Sequence, residues 1–74
     1  MKTLRQIRRE QALSIRELEK RAGVAHQTMV SAEAGKRLHL STMRKIADAL
    51  KVEPMEIAEF AAIIEDDDSR DSSD

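Results

Sequence analysis

The sequence predicts an all-α fold: a compact bundle of five short helices with a closely joined pair at its centre. Three observations predict it. Residues 14–37, SIRELEKRAGVAHQTMVSAEAGKR, read as a helix, a tight turn at Gly23 and a second helix. Met43, Ile46, Ala47 and Leu50 fall at i, i+3, i+4 and i+7, the spacing of one apolar helix face. Pro54 opens another apolar run at a first-turn position, where its missing N–H costs nothing. With 74 residues there is room for one domain. We expect it to span residues 1–64, followed by an acidic tail, 65–74, too charged and too poor in apolar side chains to fold.

Taken in order, residues 3–11 form the first helix, with Thr3 as its cap and Leu4, Ile7 and then Leu13 on its apolar side. Arg8 shares the inward stripe with Leu4, whereas Lys2, Arg5 and Arg9 belong to a solvated face. Ser14 caps the second helix, and Glu17 three residues later completes a capping box. Leu18 and Ala22 lie one turn apart on its inner face. Gly23 stops it, because glycine takes the positive φ that closes a helix end. Val24 plugs the turn. Ala25 opens the third helix, which turns Thr28, Met29 and Ala32 inward and shows His26, Gln27, Val30 and Ser31 to solvent. Gly35 ends it, with Lys36 and Arg37 directly after. Ser41 starts the fourth helix, which runs to Leu50. A fifth covers residues 54–64, with Ile57, Phe60, Ala61 and Ile64 as its core stripe. Met55, Ala58, Ala62 and Ile63 make a second apolar side, a candidate dimer surface unless both stripes wrap into one small core.

A short helix, a glycine turn and a second helix with a polar leading end make the layout of a DNA-reading helix-turn-helix. Gly23-Val24 at the turn and Glu33-Ala34-Gly35 before a basic loop extend the likeness. Over roughly residues 4–60 the chain resembles the lambda-repressor/Cro-like family of bacterial and phage regulators. The resemblance implies that His26, Gln27 and Ser31, with Thr28 at the edge of the core, contact bases. Gln27 suits adenine, and the methyl of Thr28 suits thymine. It implies phosphate contacts from Ser14, Arg16, Lys36 and Arg37. It also implies an ion pair between Arg8 and Glu33; the alternative is two separate surface charges. Four positions depart from the family pattern. Ile15 replaces a glutamine that grips phosphate, Glu19 replaces an alanine where the two helices cross, Ala25 replaces a Ser or Thr cap, and Ala12 replaces a glycine.

The net charge of −1 hides an asymmetry. Residues 1–64 hold 12 Lys and Arg against 8 Asp and Glu, net +4, while residues 65–74 hold six acids and one base. A basic body suits phosphate. There is no cysteine, hence no disulfide framework and no thiolate metal site. No apolar run approaches the ~20 residues of a membrane span, and no secretory signal opens the chain. We expect a cytoplasmic protein. His26 and His39 have no carboxylate or cysteine at ligand spacing, and no glycine-rich phosphate loop is present, so we expect neither catalysis nor a cofactor. The expectation is a sequence-specific regulator, a repressor acting as a homodimer on double-stranded DNA. The alternative is a protein-interaction module on the same fold, an antitoxin or antirepressor-like partner.

Overall fold

The computed structural model describes residues 1–69, with side chains through residue 66. Five helices succeed one another: α1 (Leu4–Glu10), α2 (Ile15–Ala22), α3 (His26–Glu33), α4 (Leu40–Leu50) and α5 (Ala58–Ser69), with a 3₁₀ turn at Pro54–Glu56 ahead of α5. The first two start at reciprocal caps. Thr3 Oγ1 accepts from the Gln6 N–H at 3.1 Å, and the Gln6 side chain accepts from the Thr3 N–H at 2.8 Å. Ser14 and Glu17 repeat the arrangement at α2, at 3.1 and 3.0 Å. Each cap satisfies donors that a helix start leaves without partners.

The turns behave as the chain's chemistry requires except at two non-glycine residues, Ala12 and Lys51, the latter closing α4 at φ +60°. Gly23 closes α2 at φ +70°, and its N–H donates to the Glu19 carbonyl at 2.8 Å. Ala12, in the turn after α1, also takes a left-handed conformation, at φ +56°. A side chain there costs about 1–2 kcal/mol that glycine avoids.

Every helix feeds one core. Leu4, Leu18, Met29, Ile46, Leu50 and Phe60, drawn from α1 to α5, are all fully buried. The second helix packs chiefly on α4, and α3 rests on α2 and α1. Gln11, the residue that caps the end of α1, donates through Nε2 to the Leu50 carbonyl at 2.8 Å. That bond satisfies a carbonyl that the end of α4 would otherwise strand. The α2–α3 pair packs on the core through its inner side, which leaves its outer face exposed.

Four boundaries and faces differ from expectation. The fourth helix begins at Leu40 with His39 as its cap residue, not at Ser41; the His39 carbonyl already accepts from the Thr42 and Met43 N–H groups. The fifth helix does not start at Pro54. Ile57 is extended (φ −98°, ψ 121°) and bridges to Lys2, and the Ala58 N–H donates to the Lys2 carbonyl at 2.9 Å. The amino terminus is pinned a second time where the Leu4 N–H donates to Glu59 Oε1 at 2.8 Å. Within α5, Ile63 enters the core with Phe60 and Ala61 instead of joining a second apolar side, and Ile64 is only partly buried. Of the expected dimer surface, Met55 and Ala62 are exposed and Ala58 is half-buried. Finally, α5 runs past Ile64 to Ser69, so the acidic segment begins as helix. The remainder of the segment expected to be unfolded, residues 70–74, lies outside the described residues. Among those described, no helix is long and apolar enough to cross a membrane.

Candidate nucleic-acid interface

The third helix buries one side and offers the other. Met29 and Ala32 are at or below 1% exposure. His26, Gln27 and Val30 are exposed, while Thr28 and Ser31 are half-buried. All four expected base-contact residues therefore retain accessible surface on one outward strip, and Val30 adds an apolar group suited to a thymine methyl. Ala25 caps α3 without a side-chain bond. No cap side chain stands at the leading end, where helix N–H groups carry partial positive charge.

The departure at Glu19 now has a physical explanation. Its carboxylate, with the side chain 15% exposed, faces Nδ1 of His26 across the Gly23 turn. The hydrogen-bonding partner that a carboxylate at this crossing needs comes from the next helix rather than from Arg16 or Lys20. Those two bases line, with Glu19 and His26, a shallow notch beside the leading end of α3. Arg16, expected to contact phosphate, thus lies beside the leading end of α3, and Lys20 lies with it. Sequence reasoning did not single out Lys20, because an exposed lysine on a helix carries no signal of its own.

On the other flank, Thr28 and Arg37 line a groove together with Leu38, His39, Leu40, Ser41 and Thr42. Sequence reasoning had not placed His39, Ser41 and Thr42 on this surface. The available signal was their position at the start of a helix that follows a basic loop, where hydroxyls and N–H groups gather. Lys36 and Arg37 are both exposed in that loop. Arg37 Nη1 also meets Asp66 Oδ2 at 3.1 Å, so the acidic end of α5 reaches a candidate phosphate contact.

Ser14 is exposed, but part of its hydrogen-bonding capacity is committed. Its N–H donates to Glu17, and its hydroxyl oxygen accepts from the Glu17 N–H. The backbone bond from Ser14, then its hydroxyl, holds the Glu17 carboxyl below the ordinary carboxylate value, with Arg21 and Lys20 adding to the effect. The capping box uses the Ser14 hydroxyl oxygen as an acceptor and not its proton.

Arg8 and Glu33 form the expected pair. Arg8 Nε meets Glu33 Oε2 at 2.8 Å, with side chains 13% and 8% exposed. Arg8 Nη1 also donates to the Leu13 carbonyl at 3.0 Å, and Arg5 approaches the second Glu33 oxygen at 3.5 Å. The pair joins α1 to the far end of α3 and so helps set the direction of the exposed strip.

Residues 4–57 match the protein-family model described as helix-turn-helix. No curated protein and no solved structure matches the chain.

Proposed function

The chain belongs to the lambda-repressor/Cro-like helix-turn-helix family of DNA-binding regulators, and from that premise we propose that it is a cytoplasmic, sequence-specific repressor acting as a homodimer on an operator. The observation that carries the proposal is the outward strip of α3. His26 and Gln27 stand exposed at a leading end with no side-chain cap, while Met29 and Ala32 anchor the opposite side. A helix held this way enters a major groove tip-first, and its first residues meet base edges. In this reading Gln27 pairs with adenine; Arg16, Lys36 and Arg37 meet phosphates on either side. Met55 and Ala62, exposed on the 3₁₀ turn and α5, supply an apolar patch for a second copy. A symmetric dimer sets its two reading helices about 34 Å apart, one turn of DNA.

Selection of bound DNA from a random pool, repeated with Gln27→Ala, tests the proposal. The wild type is expected to select a short pseudo-palindrome, with affinity falling steeply as salt rises. The variant is expected to lose preference at one base pair of each half-site, by about 1–3 kcal/mol. Selection of no sequence, or of the same sequence with undiminished preference at every position, would count against it.

A further inference from the structure

We infer that Glu19 is a positioning residue for base recognition: it commits Nδ1 of His26 and leaves Nε2 as the atom that faces DNA. The inference rests on the proposal that the leading end of α3 meets base edges. The observations are geometric. The Glu19 carboxylate lies against Nδ1, not Nε2. Its side chain is 15% exposed, whereas the imidazole is 64% exposed, so the carboxylate is the fixed partner and the ring is the part that reaches outward. Among the described residues, His26 is the hydrogen-bonding partner of this carboxylate. The other charged groups lining the notch are Arg16 and Lys20 of α2. The other ionisable group of α3, Glu33, is at its far end against Arg8.

The consequence follows from imidazole chemistry. A carboxylate accepts a proton-bearing donor, so Nδ1 carries hydrogen in both charge states. In the neutral ring Nε2 is then an acceptor, because the bond made by one nitrogen sets the role of the other. An acceptor at that atom pairs with the amino group of adenine or cytosine in the major groove. In the protonated ring Nε2 is a donor, and it pairs with guanine O6 or N7. Without Glu19 the neutral ring takes either tautomer, and the distinction is lost. The residue that departs most from the family pattern would thereby define what one base contact recognises.

The test uses the full chain with Glu19→Gln and Glu19→Ala. Glutamine is close in size but offers both a donor and an acceptor. Alanine is the residue the family pattern favours at this position, so both variants are expected to fold, which thermal unfolding checks. Ring nitrogen NMR of His26 in free protein, at an alkaline pH where the spectrum itself reports a neutral ring, should show the Nδ1–H tautomer in wild type and a mixture in Glu19→Ala. DNA selection at that pH should show about a five- to tenfold preference for an amino-bearing base at one position, falling to about twofold or less in both variants. The preference at the position read by Gln27 should not move. Unchanged preferences in the variants, or a ring with no tautomer bias in a wild type that selects DNA, would overturn the role of Glu19. A locked ring in a protein that selects no sequence would instead overturn the base-reading proposal, and this inference with it.

Discussion

Removing Glu33 should destabilise the domain far more than its single charge suggests. In Glu33→Ala, Arg8 keeps its bond to the Leu13 carbonyl but loses the carboxylate 2.8 Å away, in a site where its side chain is 13% exposed. A partly buried cation left without its partner costs about 3–5 kcal/mol. Residual exposure and the surviving carbonyl bond favour the low end, about 3 kcal/mol. For a domain of this size that is a large share of a total stability of about 4–11 kcal/mol, and it lowers the melting temperature by about 12–24 °C. Arg8→Met should cost about as much. Glu33 would retain only Arg5, whose side chain is 61% exposed at 3.5 Å, and the Leu13 carbonyl would lose its donor. The double variant Arg8→Met/Glu33→Leu strands no charge, so it should recover much of the loss. Urea unfolding of the four proteins closes the cycle, and the expected coupling is about 2–3 kcal/mol. Repeating it at high salt should change that coupling little, because near-buried pairs are weakly screened. A coupling near zero, or one abolished by salt, would refute the reasoning by showing that the pair behaves like an exposed one.

Three further outcomes are expected. Ala12→Gly should stabilise the protein by about 0.5–1 kcal/mol in urea unfolding: relief of the left-handed strain, about 1–2 kcal/mol, is partly offset by the freer unfolded chain. Glu17 stabilises the fold above the ordinary carboxylate value, and this contribution is lost as pH falls through its lowered folded-state value. Glu17→Gln should therefore flatten part of the acid limb of the stability–pH curve while leaving its slope near neutrality unchanged. Deleting residues 65–74 removes Asp66 from Arg37, and it should tighten DNA binding at low salt by about two- to fivefold, the range of an exposed ion pair. Equal affinity of the two chains in a titration would dismiss competition by the acidic segment.

What could be read in advance was local. The capping box at Ser14 and Glu17, the helix stop at Gly23 and the stripe from Met43 to Leu50 each depend on residues within about two helical turns. The backbone follows such patterns directly. The Arg8–Glu33 pair spans 25 residues, and it was legible only through the likeness to a known family. Other long-range features had no such aid. Ile57 lies extended against Lys2, from the opposite end of the chain, and Ile63 of α5 turns into the core.

The sequence by itself determined the helices, their order and the polar strip at the start of α3. Capping, glycine geometry and apolar period are properties of a chain's neighbouring residues. Only the tertiary structure decided which polar groups meet: Glu19 with His26 and Arg37 with Asp66. A charged side chain carries no local mark of its partner. Its pairing is set by where packing carries two distant stretches of backbone, and here that packing brings carboxylates against the groups expected to meet DNA.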